Sequence, residues 1–105
     1  MTPGQKKNLQ RLLAPRHIAF IGGSEALYAS RQCAAGGFSG QIWGVNPNRR
    51  KLDEHPCFAR VDDLPDAPDA AFVAVPGSVV PTVVSQLHQR GAGGCLLYTS
   101  DAADE

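Results

Sequence analysis

The sequence predicts an α/β fold, a parallel sheet with helices on both of its faces. Three observations predict it. Short apolar runs alternate along the chain with segments that suit helices. Each run is continuous, as in strands buried on both faces, and does not alternate with polar residues. The runs end abruptly at Gly22-Gly23, Asn46-Pro47 and Pro76-Gly77, residue types that turn the chain. Strand and helix in alternation imply parallel pairing through crossovers.

The elements follow in order. Gln5 to Leu13 reads as a short amphipathic helix with Leu9, Leu12 and Leu13 on one face, ended by Pro15. His17 to Ile21 reads as a buried strand that stops at the glycine turn Gly22-Gly23-Ser24. Glu25 to Ala35 suits a helix closed by Gly36-Gly37. Gln41 to Val45 is the second strand, followed by Asn46-Pro47-Asn48 and a polar stretch from Arg49 to Pro56. Cys57 to Ala59 is a minor extended piece, and Val61 to Asp69 a turn or short helix. Asp69 to Val75 is the third strand, terminated by Pro76-Gly77. Ser78 is placed to cap a helix running through Arg90, with Val79, Val80, Val83, Val84 and Leu87 on its apolar side. Pro81 lies near its start, where a missing N–H costs little, and Gly91, Gly93 and Gly94 end it.

The bulk properties narrow the function. The 105 residues carry ten Lys and Arg against ten Asp and Glu, a formal net charge of zero, unlike the basic footprint of a nucleic-acid binder. Three cysteines, Cys33, Cys57 and Cys95, form no CxxC pair, and His17, His55 and His88 show no metal-ligand spacing with them. The first residues are polar, with Lys6 and Lys7 and no apolar run behind them. No apolar stretch approaches the roughly 20 residues of a membrane span. The cytoplasm is the expected location, with neither membrane nor nucleic acid as partner.

Right-handed crossovers put the loops after the three strands on one edge of the sheet, and the ligand crevice of such a sheet lies at the strand carboxyl ends. The expected site is therefore built by the loops that begin at Gly22, Asn46 and Pro76. Glycine at 22 and 23 lets backbone approach a ligand closely, and the helix N-terminus behind it favours a phosphate. Arg49, at the end of the second loop, can fork onto a phosphate; a solvated turn explains Asn46 to Arg49 equally well. Val75-Pro76-Gly77 can lay flat backbone on a ligand, or simply enter a helix. The dinucleotide fingerprint GxGxxG is absent, since Leu27 stands where the third glycine belongs, and no acidic residue closes the second strand. No catalytic constellation stands out. The acidic residues Asp62, Asp63, Asp66 and Asp69 read as a solvated loop, and nothing visible lowers the pKa of Cys33.

Taken together the loops are more specific than any one alone. Leu12 to Gly23, Gly37 to Pro47, Val61 to Pro65 and Pro68 to Pro76 resemble the opening of NDP-forming acyl-CoA synthetases, the acetate–CoA ligase type. The resemblance runs from about Leu12 to Gly94. It implies a Rossmann-like CoA-binding domain like that of the succinyl-CoA synthetase alpha subunit, here truncated at its C-terminal side. It implies CoA as the ligand, with contacts from Gly22, Gly23, Ser24 and Glu25, from Asn46, Pro47 and Arg49, and from Val75, Pro76 and Gly77. The phosphohistidine, the ligase and ATP-grasp domains, and ADP or ATP with Mg would belong to parts of the parent enzyme outside this chain, so the fragment alone is expected to be inactive. Two other readings remain: a stand-alone CoA-binding or regulatory protein, and an NAD(P)-binding oxidoreductase domain.

Residues 1–94 are accordingly read as an incomplete CoA-binding domain. Where the family continues with an apolar strand and a Ser-Gly-Phe turn, residues 95–105 resemble the translation of a transposase-end sequencing adapter, and are expected to be non-native. The apolar stretch Cys95 to Tyr98 can still stand in for the next strand.

Overall fold

The computed structural model describes residues 2–98. Along the chain it forms α1 (Pro3–Leu13), β1 (His17–Gly22), α2 (Ser24–Ala35), β2 (Gln41–Val45), β3 (Lys51–Leu52), β4 (His55–Phe58), a 3-10 turn (Val61–Asp63), β5 (Ala70–Ala74), α3 (Val80–Arg90) and β6 (Cys95–Leu97). The strands make one sheet in the order β3-β4-β2-β1-β5-β6. Pairing is parallel from β4 through β6, and the short β3–β4 hairpin is antiparallel. β1 lies between β2 and β5, so the chain leaves it towards one side of the sheet and later returns to the other. No helix among the described residues is long and apolar enough to cross a membrane.

The continuous apolar runs bury both faces, as such a sheet requires. Ala19, Ile21, Trp43, Val45, Ala71 and Val73 face α3 and pack with its Val83 and Leu87 and with Val61 and Leu64. Phe20 and Ile42 point the other way, towards Ala26 of α2 and Leu52 of β3, with Ile18 and Phe72 beside them. Gly44 falls on that second face, where a Cβ would press on the Cys57 sulfur and on Leu52. Helices thus cover both sides of the sheet.

Several local features depart from the sequence reading. α1 begins two residues earlier than its apolar spacing suggests, because Thr2 and Gln5 form a reciprocal capping box and Pro3 sits at its first turn. Its Leu9, Leu12 and Leu13 remain exposed, so packing of that face does not hold the helix. The polar stretch after Asn48 contains the β3–β4 hairpin, its turn residue Asp53 at positive φ and bridged to Arg31 of α2 by two 2.9 Å contacts. Ser78 does not cap α3. The Val79 N–H closes a turn onto the Pro76 carbonyl, which leaves Ser78 inside the turn and Val79 as the cap residue. Cys95–Leu97 takes the position beside β5, with exposed side chains. Residues 99–105, most of the segment read as non-native, lie outside the described residues.

The largest correction concerns Asp69, which the acidic run presented as solvated. It is 1% exposed, at the amino-terminal edge of the sheet. Arg11 Nε donates to it at 2.7 Å, and the Arg16 backbone N–H and Nε donate at 2.8 and 3.1 Å. Arg11 also donates to the carbonyls of Gly91 and Pro68, tying α1 to the loop before β5 and to the turn after α3. The Asp69 N–H donates to His17 Nδ1, and the His17 ring stacks on Trp43 at 4.7 Å. Burial alone raises the Asp69 pKa. The hydrogen bonds from Arg16 and Arg11 outweigh it and hold the carboxyl well below the usual carboxylate range.

Two expected outcomes follow from this architecture. Asp69→Asn keeps the shape and loses the charge, so it should lower unfolding free energy by about 2–3 kcal/mol. A folded-state pKa below the unfolded one stabilises fully above about pH 4 and loses that contribution as pH falls further. Urea unfolding at a series of pH values should therefore show a shallower loss below pH 4 for the variant than for the parent chain. Gly22→Ala meets both a φ of 137° and the carbonyl oxygen of Ala74 on the neighbouring strand; it should cost about 2–4 kcal/mol in the same assay.

Candidate functional site

Parallel pairing sets the three strand tips side by side. Ile21 is in register with Val45, and Gly22 with Ala74. Neighbouring strands lie about 4.8 Å apart, so the turns after β1, β2 and β5 leave the sheet within reach of one small molecule. β1 is also where the connections reverse direction, which opens a crevice at the carboxyl edge.

The first turn depends on Gly22, whose left-handed φ sends the chain from β1 directly into α2. Gly23 precedes the helix and offers no side-chain cap. The N–H groups of the first turn of α2 are therefore left to solvent or to an anion. The second turn is built around Asn46. Its Nδ2 donates to the Gly22 carbonyl at 3.0 Å, and its Oδ1 accepts the Asn48 N–H at 2.8 Å. Its own N–H donates to the Phe58 carbonyl of β4. Asn46 thus stitches the first and second turns together. The third turn, Val75-Pro76-Gly77, is closed by the Val79 N–H on Pro76 and the Val80 N–H on Gly77.

A cleft of about 300 Å³ lies where these turns meet. Six of the residues singled out from the sequence line it: Gly22, Gly23, Asn46, Pro47, Val75 and Pro76. Ser24 and Glu25 instead border a neighbouring groove with Tyr28, Phe72 and Tyr98, on the α2 side of the sheet. The Glu25 carboxylate therefore stays out of the cleft. Gly77 and Arg49 do not line the cleft, and Arg49 is exposed.

The structure adds residues that the sequence reading does not reach. Ala59, Arg60 and Val61 come from the loop after β4, and Val79, Val83 and Gln86 from α3. β4 runs parallel to β2, so its following loop arrives at the same edge. The signal was the extended piece at Cys57 to Ala59, too short to be read as a strand of the sheet. The lining is mainly apolar, and among the described residues Arg60 is its one charged side chain. Burial pushes the half-buried Cys57 thiol up, as it does that of Cys33, which keeps both in the poorly nucleophilic protonated form. The arrangement offers backbone N–H groups, apolar walls and a cation at one cleft.

Comparisons with known proteins agree with the fold. Residues 16–105 match the family described as the CoA binding domain. The chain is 33% identical over 103 residues to the ADP-forming acetate–CoA ligase II of Archaeoglobus fulgidus, covering 93% of this chain and 15% of that protein. It is 36% identical over 107 residues to a trans-feruloyl-CoA synthase from an unknown prokaryotic organism, covering 94% of this chain and again 15% of the relative. Among solved structures, the apo form of dinucleotide forming acetyl-coenzyme A synthetase 1 of Ca. Korarchaeum cryptofilum superposes with a TM-score of 0.81 at 30% identity, over 88% of this chain and 21% of that one. A conserved hypothetical protein of Pyrococcus furiosus, at 23% identity and a TM-score of 0.69, covers 85% of this chain and 82% of its own, and shows likeness of fold alone. The chain thus spans about 15% of the length of these two curated relatives. With its parallel sheet, its glycine turn and a family match over residues 16–105, the chain belongs to the CoA binding domain family.

Proposed function

We propose that this chain binds CoA in the cleft at the carboxyl edge of the sheet, as the CoA-binding part of a cytoplasmic NDP-forming acyl-CoA synthetase. The observation that carries the reading is the meeting of Gly22, Gly23, Asn46, Pro47, Val75 and Pro76 around one cleft, in a chain of the CoA binding domain family. The uncapped first turn of α2 supplies N–H donors for a phosphate, and the apolar wall of Val75, Pro76 and Val79 suits the flat adenine ring. Ser24 and Glu25 border the adjoining groove, where the pantetheine arm would leave the cleft. Arg49, exposed beyond Pro47, would reach the 3′-phosphate of the ribose from outside.

The acid–CoA ligation itself is assigned to other domains of a longer protein, as are ADP or ATP and Mg. The relatives are acid–CoA ligases several times the length of this chain. An NAD(P) reading has less support. The position after β2 that would hold a ribose carries Asn46, whose side chain is engaged with the Gly22 carbonyl and the Asn48 N–H.

Calorimetric titration of the purified chain with CoA, dephospho-CoA and NAD should show saturable CoA binding and NAD binding at least ~10-fold weaker; preference for NAD contradicts the proposal. In the same titrations Arg49→Ala should weaken CoA by about tenfold, the worth of one charge-assisted hydrogen bond. Dephospho-CoA should be nearly unaffected, and an equal loss for both ligands removes Arg49 from the 3′-phosphate.

A further inference from the structure

Arg60 stands apart from the three turns. It belongs to the loop between β4 and the 3-10 turn, in extended backbone conformation at φ −142° and ψ 160°. Its main chain is fixed on both sides. The Arg60 carbonyl accepts the Asp63 N–H at 3.0 Å, and the next residue, Val61, is 2% exposed in the core against α3. The side chain, by contrast, is exposed and borders the cleft. Among the described residues no carboxylate pairs with it: the ion pairs formed by Asp53 and Asp69 engage Arg31, Arg11 and Arg16. A guanidinium held at the rim of an apolar cleft, with no acidic partner, is a ready site for a phosphate, which it can grip through two parallel hydrogen bonds.

We propose that Arg60 is the residue that meets a phosphate group of the ligand inside the cleft, opposite the glycine turn and the first turn of α2. The proposal rests on the CoA reading and deepens it. Backbone N–H groups would then hold an anion from the β1 side and Arg60 from the β4 side, with Asn46 and Pro47 between them. Two phosphate positions on CoA fit such a clamp, the diphosphate and the 3′-phosphate. Both carry the same chemistry, and ligands that lack one or both separate them.

The test is calorimetric titration of the parent chain, Arg60→Ala and Arg60→Lys with CoA, dephospho-CoA and pantetheine, with thermal melting as the control for folding. Arg60→Ala should weaken CoA on the order of tenfold at an unchanged melting temperature, since the side chain is exposed. Pantetheine binding, which involves no phosphate, should not change, and Arg60→Lys should restore part of the affinity for CoA. Loss for CoA and dephospho-CoA alike assigns the diphosphate; loss for CoA alone assigns the 3′-phosphate. A change of less than twofold in CoA affinity, or an equal loss for pantetheine, overturns the role of Arg60 while the CoA reading stands. A parent chain that binds none of the three overturns the CoA reading itself, and this proposal with it.

Discussion

At Gly22 three strands come as close as backbone allows. Its α-carbon lies against the Ala74 carbonyl with no room for a side chain, and its own carbonyl receives the Asn46 amide. Its φ of 137° turns the chain into α2. One residue therefore sets the spacing of β1 and β5, anchors the turn after β2, and leads the chain into α2. A side chain at this position would push β5 away and open the cleft from within. Glycine is required here by contact as well as by conformation.

The opposite edge of the sheet carries a different kind of constraint. There the buried Asp69 carboxylate gathers Arg11 and Arg16, and its N–H engages His17. A buried carboxylate is costly unless its lone pairs are filled, and here several donors from α1 and from the start of β1 fill them. This arrangement holds α1 although none of its leucines is buried. The buried ion-pair cluster thus lies at the amino-terminal edge and the three turns at the carboxyl edge. The cleft keeps donors unpaired without loss of the fold.

The sequence made the central strands plain for a physical reason. β1, β2 and β5 are covered on both faces, so their residues had to form continuous apolar runs, and Gly, Asn and Pro had to end them. The edge on which the three turns meet followed from parallel pairing alone. The outer hairpin was hidden because β3 and β4 are only two and four residues long, with Leu52 the single buried side chain between Lys51 and His55. With Cys57 to Ala59 read only as a minor extended piece and not as a strand of the sheet, the loop carrying Arg60 had no reason to be placed at the site. Asp69 misled in the other direction. Its neighbours Asp62, Asp63 and Asp66 are exposed, and nothing local distinguishes the one carboxylate whose partners lie 53 and 58 residues away. Ser78 failed as a cap because the turn after Pro76 closes before the helix begins.

The central claim is that turns from three neighbouring strands hold one molecule of CoA together. Backbone amide resonances of the isotope-labelled chain, followed by NMR as CoA is added, test it most directly. The account predicts that shifts concentrate on Gly22, Gly23, Asn46, Val75 and Gly77 and saturate with a single affinity. Shifts gathered instead around Lys7, Gln10 and Arg16 at the other edge, or confined to one of the three turns, would contradict it.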